Sequence, residues 1–92
     1  MRPSCLQCVG KHLACAMILL REYRTGYGSH LLLALGHLEE ASVESEVAHP
    51  ELSAKIYAER KNIEQQPDEA HTGLAELIDE VYYLLDKAGN QA

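Results

Sequence analysis

Three cysteines and a histidine lie close together near the amino terminus of the chain. Cys5, Cys8, His12 and Cys15 follow one another at spacings of three, four and three residues, which places their side chains along one stripe of an α-helix. Thiols and imidazoles are ligands that zinc prefers, and paired thiols also carry redox chemistry. The stripe therefore predicts either a metal site or a redox centre on a first helix.

The metal interpretation begins with Cys5 and Cys8. At a helix start, the partial positive charge and the free N–H groups stabilise thiolates. The spacing lets both sulfurs reach one ion at about 2.3 Å, and His12 adds a nitrogen. One helix cannot close a tetrahedral shell, so another segment must supply a ligand, with His49 the first candidate and Glu44 the second. We therefore predict a small helical protein, more a binder than an enzyme, that holds a structural zinc through Cys5, Cys8, His12 and His49.

A second interpretation comes from a resemblance within the twelve residues CLQCVGKHLACA. This segment resembles the Cys-x-x-Cys-x-x-x-His helix of the alkylhydroperoxidase-D and carboxymuconolactone-decarboxylase family, whose members are all-α. The resemblance implies that Cys8 reacts with peroxide, that Cys5 resolves it as a disulfide and that His12 belongs to a proton relay. The family's relay glutamate precedes the cysteines, whereas only four residues precede Cys5 here, so Glu40 or Glu44 would replace it. The alternative function is thus a thiol oxidoreductase of the peroxidase type.

Helices are the elements that must position these residues. Leu, Ala, Glu, Lys and Arg are abundant and favour helix, and the alternation typical of strands is absent. Gly26 and Gly28 can end a first helix near Thr25, and Pro50 and Pro67 mark two further breaks. We predict an all-α fold, a small four-helix domain with an N-terminal antiparallel helical hairpin, formed by residues 1–92 as a single helical domain.

Capping and breaking residues set approximate bounds for the four helices. The first should start at Cys5, with Ser4 and Gln7 as a capping box. We expect helices over about 5–25, 29–47 and 50–65, and a last helix that starts at Asp68 or Thr72 and ends near Gly89. The apolar stripes of the first and last helices should form most of the core, whereas the third helix, with a thin apolar edge, should lie on the surface.

The short loop after the first helix predicts how the first two helices pair. If the turn centres on Tyr27, His12 should face Glu40 or Ala41 across the hairpin. His30 and His71 lie near predicted helix starts. We expect both of these histidines on the surface.

The charge distribution limits the possible partners. The first 30 residues carry a net charge of +3 and the remainder −9, which together give −6. Binding to nucleic acid requires a basic stripe, so nucleic acid is an unlikely partner. The longest apolar runs fall far short of the roughly 20 residues that span a bilayer, and no signal-peptide pattern is present. We expect a cytoplasmic protein without a membrane partner, in which a CxxC binds metal or is redox-active.

The second helix points to a further class of function. Leu31, Leu32, Leu33 and Leu35 make it apolar on more than one side. We therefore expect a homo-oligomer or a protein partner. A helical interaction module with incidental cysteines is the third hypothesis, beside the metal-binding protein and the oxidoreductase.

Overall fold

The computed structural model describes residues 5–90, except for the side chain of Asn90, and these residues form four helices. They are α1 (Leu6–Arg24), α2 (His30–Ser45), α3 (Pro50–Gln65) and α4 (Thr72–Asn90). No strand occurs within 5–90. The predicted all-α, four-helix fold is therefore confirmed. The expected cap at Ser4 lies outside the described residues, and Cys5 is the N-cap residue of α1.

Each helix packs against its neighbours in the chain, and α4 returns to pack against α1. The contact between α1 and α2 is the most extensive, whereas α3 and α4 touch only slightly. The result is an elongated bundle with extents of 44 × 24 × 17 Å. Within the described part of the chain, no helix combines the length and the apolarity that crossing a membrane requires.

The loop between α1 and α2 folds back onto the last turn of α1. The N–H of Tyr27 donates to the carbonyl of Glu22, and the N–H of Gly26 donates to the carbonyl of Tyr23. These two bonds define a Schellman motif, in which Gly26 takes the positive φ of 116° that a residue with a side chain rarely adopts. The chain therefore reverses within five residues, and α2 starts beside the end of α1.

A single apolar cluster fills the space between the helices. Its members are buried side chains from all four helices: Val9, Leu13, Ala16, Leu20, Ala34, Leu38, Ala41, Leu52, Ile56, Ile63, Leu74, Leu77 and Val81. Three of them belong to α3, so the prediction that the third helix lies outside the core is wrong. The apolar edge of α3 is thin, but it faces the gap between α2 and α4 and closes the core there.

Serine side chains line the close approach of α2 and α3. The hydroxyl of Ser53 donates to the carbonyl of Ser42 at 2.7 Å, and the two hydroxyl oxygens lie 3.0 Å apart. Ser45 is buried and donates to the carbonyl of Ala41 at 2.9 Å. Each hydroxyl buried at this contact thus has a partner, as a buried polar group requires.

Candidate functional site

Cys5 and Cys8 form a disulfide at the amino end of α1. Their Cα atoms lie 5.1 Å apart, within the range that a disulfide can bridge. Cys5 has an extended backbone and caps the helix, because its sulfur accepts the N–H of Cys8 at 3.1 Å. Both residues are only half-buried. The two cysteines at the helix start therefore form a disulfide at the positive end of α1, where both residues are partly exposed to solvent.

Glu44 connects this sulfur pair to α2. The N–H of Cys5 donates to Oε1 of Glu44 at 3.1 Å. Glu44 was the second candidate for the ligand from another segment, and it is the side chain of α2 that reaches Cys5. Its carboxylate satisfies a backbone donor that the helix itself leaves free.

His12 and His37 face each other across the seam between α1 and α2. Their Nδ1 atoms lie 2.8 Å apart, and the ring centroids are 5.1 Å apart. One Nδ1 must donate and the other accept, so at least one of the two imidazoles is neutral while this bond exists. Both rings are half-buried. The seam therefore contains a proton shared between two titratable side chains, one helical turn beyond Cys8.

The partner of His12 differs from the one predicted. His12 was expected to face Glu40 or Ala41, but it meets His37, about one turn closer to the loop. The cause is the Schellman motif, which folds the loop back onto α1 and moves the start of α2 along it. Glu40 is exposed.

The predicted structural zinc site at Cys5, Cys8, His12 and His49 is wrong. Among residues 5–90, no group of three or more His, Cys, Asp or Glu side chains is arranged to hold a metal ion. Both sulfurs belong to the disulfide, and Nδ1 of His12 is bonded to His37. The helix-start thiols prefer each other because their spacing satisfies disulfide geometry without help from another segment.

His49 lies apart from the other predicted ligands. It is the N-cap residue of α3, and its N–H donates to the carbonyl of Ser45 at 2.8 Å. It lines a shallow cavity together with Glu80 and Leu84 of α4. The loop before Pro50 thus turns towards α4 rather than towards the start of α1.

Cys15, the last member of the stripe, is a free cysteine on the surface. It follows His12 by three residues on α1 and takes no part in the disulfide. The four residues of the stripe therefore differ in their contacts. Cys5 and Cys8 form a disulfide, His12 is hydrogen-bonded to His37, and Cys15 is an exposed thiol.

A second pair that contains a histidine, His71 with Glu59, joins the start of α4 to α3. This pair was not predicted from the sequence. Nδ1 of His71 lies 3.7 Å from Oε1 of Glu59, and the two side chains are 4% and 16% exposed. The prediction that His71 lies on the surface is wrong, because its side chain is 4% exposed, whereas the side chain of His30 is 24% exposed. Arg24 of α1 donates to the carbonyl of Glu69 in the loop before α4, and His71 lines a small cavity with Met17 and Leu20 of α1.

Gly73 provided the only sequence signal for this second pair. A Cβ atom added at Gly73 would lie 2.5 Å from Oε2 of Glu59. Because Gly73 has no side chain, the carboxylate can approach the first turn of α4, whose free N–H groups attract an anion, and an added Cβ would have to displace it. A glycine directly after a helix start indicates such a close approach.

No family model, no curated protein and no solved structure matches this chain. The resemblance of the CxxCxxxH segment to the alkylhydroperoxidase-D family therefore stays a prediction. The site rests on its own geometry: a disulfide at a helix start, a carboxylate on its backbone and a pair of imidazoles one turn away.

Proposed function

We propose that this protein is a thiol–disulfide oxidoreductase that carries two electrons at Cys5 and Cys8. The observation that supports this proposal is the disulfide between them at the N-cap of α1. A disulfide that closes a loop of so few residues constrains the unfolded chain little, so it has little value as a structural clamp. Half-burial leaves the sulfurs open to a reactant.

Cys5 is the thiol that we assign as the first to react. In the disulfide, its sulfur already accepts the N–H of Cys8 at the amino end of α1. After reduction, the same N–H and the helix dipole stabilise a thiolate at Cys5, and the thiolate is the nucleophile. The family resemblance assigns this role to Cys8 instead, so the order of reaction separates this chain from the family pattern.

A peroxide is the oxidant class that we propose. The thiolate of Cys5 attacks one peroxide oxygen, the O–O bond breaks, and the alkoxide or hydroxide that leaves takes up a proton. Cys5 is then a sulfenic acid, and the sulfur of Cys8 displaces its hydroxyl as water to form the disulfide. Two thiols are oxidised and one peroxide is reduced to an alcohol and water. A dithiol reductant, of the kind that keeps cytoplasmic thiols reduced, regenerates the pair.

His12 and His37 provide the proton exchange that this cycle needs. Forming the disulfide releases protons from the thiols, and the leaving groups take protons up. His12 lies one turn beyond Cys8 on α1 and is hydrogen-bonded to His37 of α2, so a proton can pass between the two imidazoles. We infer that His12 is the proton carrier and that His37 orients its ring.

The test is peroxide consumption by reduced protein. Reduced protein freed of reductant is mixed with cumene hydroperoxide or hydrogen peroxide, and free thiols are counted before and after. We expect the count to fall from three to one as the Cys5–Cys8 disulfide forms, with one peroxide consumed per chain. Cys15→Ser is the matched control, because it removes an exposed thiol outside the pair and should leave peroxide consumption unchanged.

Two single variants distinguish the roles of the cysteines. Cys8→Ser should still form a sulfenic acid at Cys5, which a dimedone probe traps, whereas Cys5→Ser should form little at Cys8. The opposite pattern would mean that Cys8 is the thiol that reacts first with peroxide. Reduced wild-type protein that leaves both peroxides untouched, with all three thiols free, would refute the proposed function.

A further inference from the structure

The largest exposed apolar side chains concentrate on α2 and the turn after it. Leu32 is 76% exposed, Leu33 54%, Val43 61% and Val47 76%. Gly36 lies between them, is exposed and has open space above its Cα. Exposed apolar side chains on one side of a helix, with a glycine that permits close approach, are typical of an interaction face.

The neighbouring helix α1 presents a different stripe to solvent. Lys11, Cys15, Ile18 and Arg21 recur at the spacing of one helix face, and all four are exposed. Ile18 is 55% exposed, between two cations. This face of α1 therefore combines positive charge with an apolar centre.

Charge distinguishes the two stripes. The exposed charges of α2 are all acidic, since this helix contains no Lys or Arg, whereas Lys11 and Arg21 on the α1 stripe are basic. The acid on that face of α1, Glu22, lies 3.6 Å from His30. Glu40 and Lys11 take part in none of the ion pairs formed by residues 5–90. The bonded pair His12 and His37 joins the two helices, so both stripes border the same seam. We call this surface, formed by the exposed residues of α1 and α2, the hairpin face.

We propose that a second copy of this chain packs against the hairpin face. The two copies are related by a two-fold axis parallel to the helices, so α1 of each copy lies over α2 of the other. The face is then self-complementary, as a closed dimer requires, because each basic stripe meets an acidic one. Stacking α1 on α1 would place cations against cations instead.

The register of the hairpin identifies the charges that meet. Two side-chain contacts, His12 with His37 and Cys5 with Glu44, fix the levels of the two helices. Lys11 lies one residue before His12, and Glu40 lies less than one turn after His37. Under the two-fold axis, Lys11 faces the partner's Glu40, and Ile18 faces the partner's leucine pair at the start of α2.

A membrane surface fits this face less well than a second copy. Helices that lie on a membrane present Lys and Arg beside their apolar face, because the headgroups that they meet are anionic. α2 itself offers only glutamates beside its apolar face, so the cations of the hairpin face are confined to α1. Repulsion between these glutamates and anionic headgroups would oppose the binding of α2.

Sedimentation velocity over a concentration series tests the dimer. The experiment uses Cys15→Ser protein, so that the exposed thiol cannot cross-link two copies. We expect a mass of two 10.2 kDa chains. Lys11→Glu or Glu40→Lys should weaken dimerisation by about tenfold or more, because each places like charges together, and the double variant should restore it. Both positions are exposed, so folding is preserved, and circular dichroism checks this.

Lys87→Glu is the matched control, because it makes the same charge change at an exposed position on α4, outside the hairpin face. It should leave the dimer intact. Sedimentation as a monomer at every concentration would overturn the dimer, and so would an equal loss of dimer in Lys11→Glu and Lys87→Glu. Peroxide consumption is measured separately on the same variants, so failure of the dimer and failure of the oxidoreductase are distinguishable.

Discussion

Two residue pairs that contain histidine, His12 with His37 and His71 with Glu59, differ in their access to solvent. His12 and His37 face each other on a half-buried seam, one turn from a disulfide. His71 is almost sealed, rests against Glu59, and has no hydrogen-bond partner for its Nε2 among residues 5–90. The first pair is partly open to solvent, whereas the second joins α4 to α3. Burial, and not residue type, therefore separates the two environments.

The largest effect should come from removing the carboxylate of the buried pair. In Glu59→Ala, the buried ring of His71 loses the carboxylate that lies 3.7 Å from its Nδ1. We expect the free energy of unfolding to fall by about 1–3 kcal/mol, measured by urea denaturation. Glu59→Gln is the control and should lose less, because its amide oxygen still reaches the ring. Equal stability of wild type and Glu59→Ala would remove the structural role of this pair.

A smaller loss is expected at the half-buried seam. His37→Ala deletes one hydrogen bond, and water can reach the ring of His12 that is left, so the free energy of unfolding should fall by about 1 kcal/mol. The same variant should slow the oxidation of Cys5 and Cys8 by peroxide. If His37→Ala lost as much stability as Glu59→Ala and its oxidation rate were unchanged, both pairs would be structural. The expected difference between the two pairs would then be refuted.

Gly73 tests how tightly Glu59 is held at the start of α4. An alanine at an ordinary helix position stabilises by about 0.5–1 kcal/mol relative to glycine. In Gly73→Ala this gain should be absent, because the new Cβ would displace the carboxylate of Glu59. In a Glu59→Ala background the gain should return, and a double-mutant cycle measures the coupling. Additive effects of the two substitutions would show that the carboxylate is not held there.

The smallest effect is expected at Cys15. It is exposed and unbonded, so Cys15→Ser should change the free energy of unfolding by less than about 0.5 kcal/mol. Thermal melting of the reduced protein, at concentrations at which it sediments as a monomer, measures the difference. A clear loss of stability would mean that the exposed end of the cysteine stripe is part of a packed contact.

The sequence by itself determined the local features of this protein. Helix bounds follow from neighbouring residues: α3 runs from Pro50 to Gln65 as predicted, and Gly26 ends α1 through a motif that only a glycine favours. The disulfide between Cys5 and Cys8 could also have been predicted from the sequence, because both residues lie in one turn. The family resemblance implied it, and the zinc interpretation overlooked it.

The tertiary structure alone decided which distant side chains meet. His12 pairs with His37 because a backbone motif in the loop shifts α2 by about one turn, and helical periodicity does not contain that shift. His71 is buried where the loop before α4 meets α1 and α3, and α3 reaches the core by packing against both α2 and α4. Local patterns fix backbone conformation over a few residues, whereas contacts between helices depend on the register and packing of the whole bundle.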